Sequence, residues 1–520
     1  MFRKVFLLFK IGRKLAKSGG IKIISDSFNI PISIKILFFI MGFDLKNDSQ
    51  KSSQNKKLSN SLQEMGTTFI KLGQFLATRP DIIGENLAKD LETLQDKLPP
   101  FSKNEANLIL KKELGEKVFK DIYSFSEPIA AASIAQVHFA KIKSNEKDFK
   151  EVAIKILRPS IKKIFNEEID ALMLLAFVTE SLIKKTKRLR LVEVVHLLRE
   201  ITNIEMDLRF EASAANELYE NTKNDIGFKV PKIYWNYTTE NILTLDKIEG
   251  ISIREREDLE KKSVDVKLLS KNLIQHFLRQ AVRDGFFHAD MHQGNIFINN
   301  KGEIAPVDFG IMGRLDPLNR KYLAEILYGF ITRDYKKVAE VHILAGLISK
   351  DVSKEKFAQA LRSIGEPIFG QSVKNISGSK LLKQLFEVTE KFNMPTQPQL
   401  LLLQKTMVVV EGVARKLDPE TNIWEVSKPV LENWLKETKD PLNKINQTFE
   451  NATEVLKKLP DLPDIMDKAN EALTIIAQGK LTPNLNSYNA LEEEKMKMKL
   501  FRNNFISGFL VLVIFILLVF

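Results

Sequence analysis

One lysine limits what this chain can fold into. Val152-Ala153-Ile154-Lys155 puts a charged amine inside an otherwise apolar strand. Burying an ammonium ion without a partner is costly. The strand must therefore lie at an edge, with Lys155 reaching solvent, or receive a carboxylate from elsewhere. Glu211, in a helical stretch downstream, is the candidate partner. Around the lysine, residues 128–157 hold short apolar runs. Ile134–Ile142 and Val152–Leu157, joined by a polar turn at Ser144–Lys150, read as a hairpin. Helical spacing then runs over Ile161–Glu220, strands over Lys229–Glu249, a helix over Leu268–Phe286 and largely helical pattern over 318–440. A β-rich lobe precedes an α-rich one.

The second constraint is the segment His288-Ala289-Asp290-Met291-His292-Gln293-Gly294-Asn295, followed by Asp308-Phe309-Gly310. Asp290 and Asn295 match the D-x-x-x-x-N spacing of a kinase catalytic loop, and the triplet matches D-F-G. The residue types suit the chemistry. An aspartate beside an incoming hydroxyl orients it or accepts its proton. An asparagine carbonyl oxygen binds Mg²⁺ without adding negative charge near phosphates, and the D-F-G aspartate binds metal beside the nucleotide. Singly, each acid reads as a cap or a turn residue. In this order behind Lys155, they favour a paired lysine over an edge one. His288 and His292 flank Asp290, but a metal trio is the weaker reading, because the catalytic-loop reading already uses that carboxylate. The chain has no cysteine, which excludes thiol catalysis, disulfides and Cys-held metals. With six histidines, any metal is expected to be a hard ion on carboxylates.

Two segments depart from a kinase pattern. Where a glycine-rich loop should precede the lysine strand, the chain reads Ala130, Ala131, Ala132, Ser133, Ile134, Ala135, Gln136, Val137, His138. Alanine offers backbone N–H groups to phosphate, but its Cβ restricts positive φ, so this turn should be stiffer. Upstream, Leu58, Leu62, Met65, Phe69, Leu72 and Leu76 follow helical spacing up to Pro80. That stretch carries Lys71-Leu72-Gly73-Gln74. A glycine inside a helix costs about 1 kcal/mol relative to alanine, which suggests close packing against another element. Lys71 and Gln74 share a face.

At 520 residues the chain has room for two or three domains. Its net charge of +12 is spread out, which suits an anionic membrane face or a phosphate ligand and singles out no nucleic acid. Phe505–Phe520 is uncharged, with Ser507 its one polar side chain, and Lys495, Lys497, Lys499 and Arg502 precede it. It reads as a C-terminal membrane anchor with the bulk of the protein cytoplasmic; a buried helix is the alternative. At the other end, Arg3, Lys4, Lys10, Arg13, Lys14 and Lys17 alternate with apolar residues. They fit a membrane-surface helix or an ordinary amphipathic one. The expected fold is α+β and bilobal. A basic N-terminal segment covers 1–57, a helical extension 58–127, a β-rich lobe 128–250 and an α-rich lobe 251–440. Amphipathic helices cover 441–499 and the anchor 500–520.

Together these residues resemble the UbiB family of atypical kinases, the aarF-domain kinases. The likeness rests on K-x-G-Q at Lys71–Gln74, A-A-A-S at Ala130–Ser133, the Lys155 strand and Glu205-Met206-Asp207 with Glu211. It extends to the segments at His288–Asn295 and Asp308–Gly310, and to Glu411–Arg415. The resemblance implies a protein-kinase-like fold that binds ATP and Mg²⁺. It makes Asp290 catalytic, Asn295 and Asp308 metal ligands, and Lys155 the phosphate-binding lysine. It places Lys71, Gln74, Glu205 and Asp207 around the pocket. It implies a membrane-associated kinase or ATPase of the bacterial inner membrane that supports ubiquinone biosynthesis, with quinone precursors or their enzymes as partners. Two alternatives stay open: a small-molecule phosphotransferase of the aminoglycoside or choline kinase type, and a non-catalytic nucleotide-gated scaffold. Gln293 stands where the family usually has proline.

Overall fold

The computed structural model describes residues 2–20, 57–77, 83–94, 98–143, 148–182, 190–349, 351–369 and 398–439, with a few isolated positions between them. The runs read as amphipathic helices over 441–499 and as an anchor over 500–520 lie outside these residues. Among the described residues, no helix is long and apolar enough to cross a membrane.

The N-terminal region is helical: α1 (Phe2–Lys17), α2 (Leu58–Met65), α3 (Thr67–Ala77), α4 (Glu85–Leu91) and α5 (Lys103–Phe119). The spacing from Leu58 to Leu76 predicts one helix, but Gly66 breaks it. Its φ of 106° lies in the region that glycine alone tolerates well. Gly73 is packed as tightly as its helical position demands. A Cβ there would lie 2.3 Å from Leu94 Cδ1 and 2.9 Å from Leu62 Cδ1. Helix α5 begins with a reciprocal cap: Ser102 Oγ accepts from the Glu105 N–H, and the Glu105 carboxylate accepts from the Ser102 N–H.

The β-rich lobe is a five-stranded antiparallel sheet. Strands β1 (Ile122–Tyr123), β3 (Ala135–Lys143), β4 (Phe149–Leu157) and β5 (Ile242–Asp246) lie in that order, and β2 (Pro128–Ala131) also pairs with β3. The region 229–249 was expected to be strand throughout. Instead it narrows to β5, because Trp235–Tyr237 forms a 3-10 turn. The long helical pattern resolves into α6 (Ile161–Leu182), α7 (Leu191–Glu205) and α8 (Leu208–Thr222).

Alternation along β3 and β4 gives the sheet two faces. Lys155 lies opposite Val137 on β3 and Leu243 on β5, on the face that joins the main core. Val152, Ile154 and Ile156 point the other way and pack with Ala106 and Leu110 of α5.

The α-rich lobe begins with β6 (Gly250–Ser252), α9 (Arg256–Lys261) and α10 (Val266–Leu278). A π-helical turn over Arg279–Asp284 follows, and Gly285, at φ 68°, ends it. The expected helix up to Phe286 therefore stops short, and β7 (Phe286–His288) takes over. Strands β8 (Ile296–Asn299) and β9 (Ile304–Pro306) complete a small sheet with β6, while β10 (Met312–Arg314) pairs with β7. Helices α11 (Pro317–Ile331), α12 (Tyr335–Leu344), α13 (Lys354–Phe369), α14 (Pro398–Leu417) and α15 (Ile423–Lys439) close the lobe.

Candidate active site

The site forms where the Lys155 face of the large sheet meets the turns between the small strands. Its first member is set by a helix start. The Asp207 side chain accepts from the Arg209 N–H and caps α8, while the Leu208 N–H donates to the Glu240 carbonyl. One turn later, Glu211 meets Lys155: Nζ lies 2.8 Å from Oε1 and 2.9 Å from Oε2. Asp308 Oδ2 is 3.5 Å from the same ammonium.

The electrostatics follow from this contact. Burial opposes charge on Lys155, but Asp308 and Glu211 outweigh it and hold the amine's pKa above its ordinary value. Burial also opposes charge on Asp308. There the Lys155 ammonium and the Gly310 N–H prevail, with His288 and Lys71 adding smaller shares, and the carboxyl is held at about 2. Burial pushes Glu211 up, and Lys155 works against it. An ammonium shared by two carboxylates is a strong positioning device and a modest source of net stability, because desolvation cancels much of the attraction.

The catalytic-loop residues hang from β7. The His288 ring is buried. Its Nδ1 accepts from the Asp290 N–H at 3.1 Å, so its proton sits on Nε2, which donates to the Asp308 carbonyl at 2.5 Å. Burial lowers the His288 pKa, which keeps the ring neutral in this bridging role. One histidine thus ties the Asp290 backbone to the Asp308 backbone. Phe309 is buried, and its N–H points to Glu211 Oε1 at 3.4 Å. The Asp308 carboxylate accepts from the Gly310 N–H at 3.0 Å.

Asn295 faces Asp290. Its Nδ2 lies 3.3 Å from the Asp290 carbonyl and 3.2 Å from Asp290 Oδ2. Both are acceptors, so the amide nitrogen must face them, which leaves Oδ1 for another ligand. His292 Nδ1 accepts from the Gly294 N–H, which puts its proton on Nε2, 3.6 Å from Asp290 Oδ2. The donor set fits Mg²⁺: an amide oxygen on Asn295 and an ionised carboxylate on Asp308 are hard ligands of the kind this ion takes. Among the described residues, no three His, Asp or Glu side chains form a metal cluster, so the His288–Asp290–His292 trio has no support.

Helix α3 lies over this site. The Thr67 hydroxyl donates to the Ser133 carbonyl at 2.8 Å, and Lys71 Nζ is 2.8 Å from Glu205 Oε2 at the end of α7. Gln74, three residues from Lys71, is half-buried. The alanine-rich segment is shorter as a loop than expected. Ala130 and Ala131 belong to β2, opposite Val137 and Gln136, and Ala135 and Val137 to β3. The turn is Ala132-Ser133-Ile134, closed by the Ala132 N–H donating to the Ala135 carbonyl. None of its residues takes a positive φ, so alanine serves as well as glycine.

Three of the expected pocket residues are placed elsewhere. Gln136 and His138 point to the α5 face of the sheet. The Gln136 amide brackets the Phe101 backbone, donating to its carbonyl and accepting its N–H, and also donates to His138 Nε2. His138 Nδ1 in turn donates to the Ser126 carbonyl. Alternation along β3 turns both away from Lys155. Asp207 is engaged by its cap and by Arg209, 2.7 Å away, which lowers its pKa.

Arg158, three residues after Lys155, was not read from the sequence. Its guanidinium binds the Ala132 carbonyl through Nε at 3.1 Å and Nη2 at 2.8 Å. It also reaches the Leu98 and Pro99 carbonyls. The Thr406 hydroxyl of α14, also missed, lies 3.0 Å from the Ala289 carbonyl and 2.8 Å from the Leu402 carbonyl of its own helix, so its one proton is shared between helix and loop. In both cases the partner is a backbone carbonyl, which leaves no side-chain pattern to read.

Comparison with known proteins gives a consistent picture. Residues 93–342 match the ABC1 atypical kinase-like domain and residues 361–422 the UbiB helical domain. A protein from Marinobacter nauticus named "Probable protein kinase UbiB" is 37% identical over 445 residues, 85% of this chain and 80% of its own length. One of the same name from Tolumonas auensis is 38% identical over 429 residues, 82% of this chain and 78% of its own. Among solved structures, a Mycobacterium tuberculosis protein in complex with erythromycin overlays at a TM-score of 0.48 with 23% identity. The overlay covers 77% of this chain and 95% of that one.

Proposed function

Because this chain belongs to the UbiB family of ABC1-type atypical kinases, we propose that it binds ATP with Mg²⁺ and acts as a kinase or ATPase supporting ubiquinone biosynthesis. One observation carries the reading: Lys155 is clasped by Glu211 at 2.8 Å, with Asp308 3.5 Å from the same ammonium. That arrangement holds an amine ready for nucleotide phosphates. Asn295 and Asp308 would hold the ion, which supplies charge neutralisation for the phosphates. Asp290 has a carboxylate oxygen directed by Asn295 Nδ2, so it orients a hydroxyl or water and takes up its proton. Helix α3, fixed to the Ser133 carbonyl and to Glu205, narrows access on the acceptor side and favours a small acceptor or water over a protein segment. The uncharged Phe505–Phe520 run with its basic approach supports attachment to the inner face of a bacterial membrane.

The test is a nucleotide titration followed by a cellular assay. Wild type should bind a fluorescent ADP analogue in a Mg²⁺-dependent way, and Asp308→Asn should lose that dependence. Asp290→Asn should keep nucleotide binding but fail to restore ubiquinone in a deletion strain. Restoration by Asp290→Asn would remove the catalytic assignment, and absence of nucleotide binding by wild type would remove the whole reading.

A further inference from the structure

An open pocket of about 380 Å³ lies between the His292–Gly294 loop and helix α14. Its floor is helix α14, through Val409, Gly412 and Val413, and is apolar. Its wall is the loop itself, where His292 turns Nε2 toward Asp290 Oδ2. Two cations stand at its rim: Arg254, just after β6, and Lys416, at the end of α14. Among the described residues, neither side chain has an ion-pair partner. Neighbouring charges are already matched: Arg256 with Glu260, and Arg415 with Glu411.

Two glycines shape this place. A Cβ on Gly294 would lie 2.8 Å from His292 Cε1 and 3.2 Å from Arg254 Nη2, so the glycine lets both side chains sit close to the loop. Gly412 is the reverse case: a Cβ there would meet nothing within 4 Å, because the space above it is the pocket. An apolar floor, two uncommitted cations and a volume in the usual range for small ligands are the attributes of a site for an acid with an apolar body.

We propose that this pocket binds a small amphipathic anion, a carboxylate or phosphate monoester on an aromatic body. Arg254 and Lys416 hold the anion, and the apolar part lies on Val409 and Val413. The site adjoins Asp290 through His292, so its occupant sits beside the reacting centre without entering the nucleotide seat. The proposal deepens the reading given above, since a second ligand next to Asp290 has a purpose only if Asp290 is catalytic. Binding itself, however, is tested without turnover.

The probe is phenyl phosphate, titrated calorimetrically into the full-length protein in detergent, with benzoate, phenol and inorganic phosphate as separate arms. Wild type should bind phenyl phosphate and benzoate saturably, and each at least tenfold more tightly than phenol or inorganic phosphate. Arg254→Gln and Lys416→Gln should each weaken phenyl phosphate binding several-fold, and together should abolish it. Gly412→Leu starts from a Cβ that meets nothing within 4 Å, extends into the open space and replaces a helical glycine. It should melt no lower than wild type yet block the probe. All three variants should keep wild-type affinity for the fluorescent ADP analogue. Absence of saturable binding, tightest binding by inorganic phosphate alone, or binding untouched by Gly412→Leu would overturn the proposal. Loss of nucleotide binding in wild type would overturn the kinase reading and leave this site standing.

Discussion

Burial has opposite outcomes in two parts of this molecule. In the cleft, Lys155 and the partly exposed Asp308 are kept charged, because for each an opposite charge outweighs desolvation. In the interior of the α-rich lobe, His276 and His342 meet none that suffices. Burial lowers both from 6.5 to about 4, helped at His276 by Arg279. His342 gives its one proton to the Val338 carbonyl and packs against Phe357, and His276 packs against Phe228. The lesson is that burial alone does not decide ionisation; the nearest counter-charge does. The cleft keeps its charges, whereas the packed lobe keeps its rings without charge.

Removing the counter-charge in the cleft should give the largest effect. In Lys155→Ala, Glu211 is buried with no cation beside it and shares the cleft with Asp308. Breaking such a pair by taking one partner away costs about 3–5 kcal/mol. Urea unfolding at pH 7 should show that loss. Lys155→Ala with Glu211→Ala should recover part of it, which a double-mutant cycle would read. A single-variant loss below about 1 kcal/mol would mean that the pair is solvated, and the contrast with the histidines would collapse.

The second test lowers pH. Between 6.5 and 4 the unfolded chain takes up protons on His276 and His342 that the native state refuses, so stability falls as pH falls through that window. At pH 5 the loss is about 2 kcal/mol per histidine. Asp308 has the same sign in a lower window. Its pKa of about 2 lies below the ordinary 3.8, so its contribution is nearly intact at pH 5 and is lost as pH falls from 3.8 through about 2. The urea midpoint should drop from pH 7 to pH 5, and His342→Gln should flatten that drop. An unchanged slope would show that the ring is protonated in the native state.

How much of this was legible in advance depends on who a residue's partner is. Lys155, Glu211, Asp290, Asn295 and Asp308 interact mainly through side chains, and their types and order were readable. Gln136 and His138 looked like pocket residues by adjacency. Their true partners are the backbones of Phe101 and Ser126, across a face covered by α5. The helix breaks at Gly66 and Gly285 are not legible in the pattern, because hydrophobic period carries no information about φ. Arg158 and Thr406 were silent for a related reason: a carbonyl has no side-chain identity to search for. Thr406→Val keeps the shape of that side chain and removes the proton shared by the Ala289 and Leu402 carbonyls, so it should cost about 1 kcal/mol. If the support matters to the site, turnover should fall while nucleotide affinity holds; a change in melting temperature alone would make Thr406 a packing residue.

The smallest effect separates a cap from a pocket wall. Asp207 sits between Glu205, which pairs with Lys71, and Glu211, which pairs with Lys155. That spacing invites a pocket role. Its carboxylate nevertheless accepts from the Arg209 N–H at 3.1 Å and binds the Arg209 guanidinium, much of which is solvated. A helix cap of this kind is worth about 1 kcal/mol, and the exposed ion pair adds little. Asp207→Ala should therefore lower stability by about that amount. Asp207→Asn, which still caps, should be close to wild type, and both should bind the ADP analogue normally. If Asp207→Asn loses nucleotide while its melting temperature holds, the carboxylate faces the ligand during binding. The start of α8 would then move between the free and bound states, carrying Glu211 with it.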